Sequence, residues 1–167
     1  IAVAMFLLAG LTTSTAATAP RQMEYLGRGV VAINQGNGKV YVGWRMLGTD
    51  PDNIAFNLYR STSDGTVVKL NGSLLANTTD YMDTSADLTK ANVYHVRPVT
   101  NGVEWPASAA FTLPANAPAR QYLAIPLHKE PSDKRISWGH VAPGDLDGDG
   151  EYDFVINRSD GRNQDPG

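Results

Sequence analysis

The chain contains no cysteine, so no disulfide can staple it and no thiolate can hold a metal; a bound cation would have to rely on oxygen or imidazole. It also has no run of lysine and arginine. With 14 basic against 17 acidic residues the formal net charge is -3, which excludes the clustered basic face that nucleic-acid binding requires. Long apolar runs are scarce too. The one at residues 1–11 is too short to span a bilayer as a stable helix. It passes through small residues to Ala17-Thr18-Ala19, the small-x-small pattern of a signal-peptidase site. Residues 1–19 therefore read as a signal peptide that lacks its initiator Met and basic opening. This predicts a secreted, extracellular protein with no membrane segment after cleavage. A length of 167 residues accommodates one domain, or one domain and part of another.

What is present from residue 23 to 113 is a series of short strand signals separated by turns, with no stretch of helical period. After apolar residues 30–33, the turn Gln35-Gly-Asn-Gly38 leads into Val40, Val42 and Trp44, which alternate with Tyr41, Gly43 and Arg45. That pattern predicts a hairpin with Trp44 facing a core. Phe56 and Leu58 alternate with Asn57 and Tyr59, residues 67–70 follow the turn Asp64-Gly65, and residues 93–99 precede Asn101-Gly102. Strands at this spacing predict a small antiparallel sandwich of the fibronectin type III or immunoglobulin-like kind. Leu88 stands six residues before Tyr94, as in a tyrosine corner, where the tyrosine hydroxyl bonds back to the chain. His95 sits in a strand run and reads as a packed or solvent-facing side chain rather than a ligand.

Residues 114–120, Pro-Ala-Asn-Ala-Pro-Ala-Arg, cannot pair regularly and read as a linker. From 121 to 167 a different pattern begins, with a short apolar strand expected at 122–127, an acidic loop, and a further strand run at 154–156. Two strands and one loop cannot bury a core by themselves, so this stretch is expected to be the start of a second, truncated domain.

The acidic loop carries the sharpest chemistry. Asp145, Asp147 and Asp149 alternate, Gly150 permits a tight turn, and Asp153 follows in the register D-x-D-x-D-G-x-x-D. Alternating carboxylates on such a loop converge on one point and would repel one another without a cation, which predicts Ca2+ rather than the more strongly hydrated magnesium. An EF-hand would need a bidentate Glu at position twelve, and that residue is Ile156. The expected ligands are therefore Asp145, Asp147, Asp149 and Asp153, with the main-chain carbonyl of Glu151 at position seven. The site is expected to act as a structural staple between two strands.

The blocks Met23-Glu-Tyr-Leu-Gly-Arg-Gly-Val-Val-Ala32, Gly43-Trp-Arg-Met-Leu-Gly-Thr-Asp50, Ile54-Ala-Phe-Asn-Leu-Tyr-Arg60 and Gly144-Asp-Leu-Asp-Gly-Asp-Gly-Glu-Tyr152 together resemble the rhamnogalacturonan lyases of polysaccharide lyase family eleven. Ser137-Trp-Gly-His-Val-Ala-Pro143 departs from the family pattern. The resemblance implies an all-β chain, a fibronectin type III-like sandwich followed by the first strands of a truncated calcium-binding β-propeller. It further implies a polysaccharide lyase that cleaves the rhamnose-galacturonate backbone of pectin (rhamnogalacturonan I) by β-elimination. The catalytic residues would lie downstream, so that this N-terminal fragment, expected to be monomeric, is inactive alone. Trp138 could stack on a sugar ring and His140 could bind substrate or metal, although a blade-core Trp and a surface His are the commoner roles. Asn71-Gly-Ser73, Asn77-Thr-Thr79 and Asn157-Arg-Ser159 are glycosylation sequons in turns expected to be exposed, of consequence only in a eukaryotic host. An alternative from another class is a non-catalytic, calcium-stabilised carbohydrate-binding or adhesion protein built from the same parts.

Overall fold

A computed structural model describes residues 24–62, 65–126 and 137–159; the leader at 1–19, Asp64 and the side chain of Trp138 lie outside the described residues. Ten strands and no helix occur among them. The hairpin predicted around Asn37-Gly38 joins β1 (Val31–Gly36) to β2 (Lys39–Gly43), with Gly36 opposite Lys39. The two residues left in the loop have φ of 53° and 71°, the positive pair that matches a two-residue turn to the right-handed twist of the strands. β5 (Asp80–Asp83) completes a three-stranded sheet on the other side of β2. The second sheet is built on the long pairing of β3 (Ala55–Thr62) with β6 (Asn92–Thr100). β4 (Val67–Lys69) flanks β3, while β7 (Val103–Glu104) and β8 (Phe111–Leu113) pair with opposite ends of β6. β5, β7 and β8 are short strands that the sequence pattern did not single out. The strand expected at 122–127 does not form over the described residues 122–126; the strand that precedes the acidic loop is instead Ser137–Gly144, where Trp138, Val141 and their neighbours pair with the run that follows the loop.

Side-chain alternation decides which faces meet. Val40, Val42 and Trp44 from one sheet pack against Phe56, Leu58, Tyr94 and Val96 from the other, all nearly or fully buried. Trp44 meets Phe56 edge to face, with ring centroids 5.5 Å apart. The antiparallel sandwich expected from the strand spacing is thus what forms.

Within this apolar core lies one carboxylate. Asp83, on β5, is 1% exposed and takes Arg60 Nη1 of β3 at 2.5 Å and the Tyr94 hydroxyl of β6 at 3.0 Å on Oδ2. Its Oδ1 accepts the Ser85 amide and hydroxyl, each at 2.8 Å. Tyr94 therefore departs from the expected tyrosine corner. Leu88 does pack against the core, but the hydroxyl is met by a carboxylate, because Asp83 is the acceptor that itself needs donors. Burial, followed by the neighbouring Asp83 charge, pushes the Tyr94 pKa up. Burial also acts to raise that of Asp83, yet the Ser85 bonds and the Arg60 guanidinium outweigh it and hold the carboxyl below its ordinary value. A second, similarly buried pair joins Arg28 and Asp50 through two bonds of 2.5 and 2.6 Å, with the Leu47 amide adding a third to Asp50. There too burial is outweighed and the carboxyl is lowered.

Residues 114–120 form no strand, as predicted, but they do not run free. Asn34 Nδ2 donates to the Ala117 carbonyl at 2.7 Å, the Arg120 amide donates to the Asn34 carbonyl at 2.8 Å, and Ala117 packs on the core. Asn71, read as part of an exposed sequon, is 4% exposed. Its Oδ1 accepts the Leu58 amide and its Nδ2 donates to Asn57 Oδ1 and the Ser73 carbonyl, so the nitrogen that would carry a glycan is committed inside the fold.

Asp83→Asn keeps the shape but leaves Arg60 buried beside a neutral partner; a loss of about 3–5 kcal/mol is expected, read from the urea midpoint. Because Asp83 and Asp50 have lowered pKa values in the fold, the unfolded chain takes up their protons first as pH falls. Their contribution is present above about pH 4 and is lost as pH drops through the lowered values, so urea midpoints should decline below about pH 4 and Asp50→Asn should flatten that decline.

Candidate metal site

β9 (Ser137–Gly144) and β10 (Asp153–Ser159) form a separate antiparallel hairpin in which Gly144 faces Asp153. Residues 145–152 join the two strands and wind around their own carboxylates. Asp145 accepts the Gly148 amide on Oδ1 at 2.8 Å and the Gly150 amide on Oδ2 at 3.1 Å. The Asp149 amide goes to Asp147 Oδ1 at 3.1 Å, and the Glu151 amide to Asp149 Oδ1 at 2.7 Å. Each bond hooks a side chain onto an amide a few residues ahead, so side chains that would alternate along a strand turn toward a common centre.

One oxygen from each of Asp145, Asp147 and Asp149 lies within 4.8 Å of the others. Oxygens sharing a calcium ion at about 2.3–2.6 Å stand no more than about 5 Å apart, so a single ion can bridge these three. An all-oxygen, triply charged donor set suits a hard cation. Of the remaining predicted ligands, Asp153 is not in this cluster; its Oδ2 accepts the Leu146 amide at 2.9 Å. The Glu151 carboxylate is not in the cluster and pairs with Arg45 Nη2 at 3.2 Å.

The outer side of this loop rests on the segment that precedes β1. The Gly27 amide donates to the Gly150 carbonyl at 2.6 Å, and Arg45 Nη1 reaches the Gly27 and Gly150 carbonyls at 3.2 and 3.3 Å. The guanidinium also lies over the Tyr152 ring, 4.3 Å from its centroid. Contact is close enough to dictate residue type. A Cβ on Gly150, whose φ is 88°, would stand 3.1 Å from both the Gly27 nitrogen and the Tyr25 oxygen, and one on Gly29 would fall 2.4 Å from Arg45 Cζ. Strand alternation marked Arg45 only as an outward position. The signal that could have singled it out is the pair of glycines around Arg28, which leave room for a large planar group.

Neither His95 nor His140 belongs to the carboxylate cluster. His95 stacks on Tyr59, with ring centroids 5.3 Å apart and planes 8° from parallel, and burial followed by the Arg97 charge lowers its pKa. This is the packed histidine read from the sequence. His140 is exposed on β9.

Residues 21–113 match the family described as the rhamnogalacturonan I lyases beta-sheet domain. Among curated proteins, the rhamnogalacturonan endolyase YesW of Bacillus subtilis is 37% identical over 145 residues, covering 83% of this chain and 21% of that protein. The rhamnogalacturonan exolyase YesX of the same organism is 36% identical over 143 residues, covering 81% and 21%. The solved rhamnogalacturonan lyase PL11 of Bacillus licheniformis superposes with a TM-score of 0.65 at 36% identity, covering 83% of this chain and 23% of that one. The chain thus spans about a fifth of the length of the curated relatives it matches. It belongs to the family of rhamnogalacturonan I lyases, whose β-sheet domain it carries at residues 21–113.

Proposed function

We propose that this chain is the N-terminal part of a secreted, calcium-dependent rhamnogalacturonan lyase that cleaves the rhamnose-galacturonate bond of pectin by β-elimination. The observation that carries this reading is the kinship with an endolyase, an exolyase and a solved lyase over more than four-fifths of the chain. The same kinship favours the lyase over a non-catalytic adhesion or carbohydrate-binding protein. Endo and exo relatives stand at 37% and 36% identity, so likeness over this stretch does not separate the two modes of attack.

In this reading β9 and β10 open the first blade of a β-propeller. Val141, Phe154 and Val155 are each about half exposed on the hairpin, with the consecutive Phe154 and Val155 on opposite faces, apolar groups that further parts of a propeller would cover. A Ca2+ ion held by Asp145, Asp147 and Asp149 would offset the mutual repulsion of their carboxylates and fix the turn between the strands. Asp153 would close the donor set with the Glu151 carbonyl. The elimination itself requires a base to take the galacturonate C5 proton while the oxygen at C4 departs, leaving a conjugated uronate without consuming water. That step belongs to the remaining four-fifths of the enzyme. The part played by this chain is to anchor the sandwich and shape the first blade.

The full-length protein is expected to generate the ultraviolet absorbance of an unsaturated uronate from rhamnogalacturonan I, and a chelator is expected to suppress it. No absorbance change in either condition would overturn the lyase assignment. Calorimetric titration of the chain should show calcium binding that Asp147→Ala weakens by about tenfold or more, equivalent to about 1.4 kcal/mol; an unchanged affinity would remove this carboxylate from the site.

A further inference from the structure

We infer that Arg45 is a positioning residue for the cation loop, through which occupancy of the loop and its docking on the sandwich strengthen one another. The inference rests on the calcium reading above and adds a residue that touches no cation. Arg45 follows Trp44, whose ring is locked in the core, and its own amide is held by the Arg28 carbonyl at 2.7 Å. Its backbone therefore moves with the sandwich. Its guanidinium, by contrast, engages three successive loop residues, taking the Gly150 carbonyl, the Glu151 carboxylate and the face of Tyr152. Glu151 is the residue whose carbonyl is expected to face the ion, and its amide already bonds Asp149, one of the three clustered carboxylates.

Two opposite effects of the arginine can be separated. Its positive charge would repel a cation, whereas its fork holds residues 150–152 in the conformation that presents the Glu151 carbonyl. Charge is the weaker influence here, because the guanidinium is paired with the Glu151 carboxylate at 3.2 Å and presents little net charge to the loop. Orientation then governs the outcome. A planar fork that makes several bonds at once cannot be replaced by an ammonium of the same charge. The slot between Gly29 and Tyr152 is also shaped to the guanidinium, since a methyl group at residue 29 would displace it. Linkage makes the coupling reciprocal: if Arg45 aids binding of the ion, the ion must tighten the docking that Arg45 holds.

The test is calcium titration of the full chain and of Arg45→Lys, Arg45→Ala, Gly29→Ala and Asp147→Ala, with near-ultraviolet circular dichroism to establish that each variant is folded. Hydrogen exchange of the Gly27 amide, whose acceptor is Gly150, gives a second readout. The expected result is that the Arg45 and Gly29 variants each bind calcium roughly tenfold more weakly, the scale of losing a partner that orients a ligand. Calcium should also slow Gly27 exchange in the parent chain and lose that effect in Arg45→Lys. Affinity unchanged in Arg45→Lys, or raised in Arg45→Ala, while Asp147→Ala weakens binding by about tenfold or more, would overturn the positioning role and leave the calcium loop standing. No binding by the parent chain, or binding that Asp147→Ala leaves intact, would overturn the calcium reading and the coupling with it.

Discussion

A buried carboxylate ties the two sheets of the sandwich together. Asp83 lies on the three-stranded sheet, and its partners Arg60 and Tyr94 lie on adjacent strands of the other. A buried charge of this kind is costly unless every oxygen is met, and here both oxygens are, by a guanidinium, a phenol, a serine hydroxyl and a main-chain amide. Van der Waals contact between apolar faces tolerates small slips of one sheet over the other. The Asp83 network does not, because a slip of one residue would leave an uncompensated charge in the core. With no disulfide available, this network is a specific polar tie across a core built mainly of apolar side chains; the Tyr81 hydroxyl on β5, which donates to the Leu70 carbonyl at 2.9 Å, adds another.

A sandwich held in register presents a defined ledge. Arg28 is tied to Asp50 on the sandwich side, which fixes the flanking glycines where the hairpin loop can approach them. The loop contributes a carbonyl, a carboxylate and an aromatic face, and Arg45 reads all three. Docking of this kind uses main-chain groups on both sides, so it depends on the absence of side chains at Gly27, Gly29 and Gly150 more than on the identity of those present. It links the family's β-sheet domain at 21–113 to the hairpin that follows it.

Local rules carried far in this sequence. The hairpin at Asn37-Gly38, the turn at Asn101-Gly102 and the inward alternation of Val40, Val42 and Trp44 all appear in the structure, because each depends on residues adjacent in the chain. β5 and β8 escaped notice. Each is short, and each is a strand by virtue of the neighbour it pairs with, β2 in one case and the end of β6 in the other. Asn71 shows the opposite failure: a motif that looks like an exposed turn was drawn inside because the amides and carbonyls around Leu58 needed a partner. The acidic loop was half legible. Alternation brought Asp145, Asp147 and Asp149 together, but the partner of the Glu151 side chain lies more than a hundred residues away in sequence.

By itself the sequence determined that the chain is all-β, that its core is drawn from alternate residues of a few strands, and that three closely spaced carboxylates converge on a loop suited to a hard cation. Periodicity, turn chemistry and charge repulsion act within a few residues, so they can be read along the chain. Only the tertiary structure decided which donors satisfy Asp83, which sequon is buried, and that Arg45 grips the far side of the loop. Those outcomes follow from which groups are brought within about 3 Å of one another after folding, a distance that sequence separation does not encode.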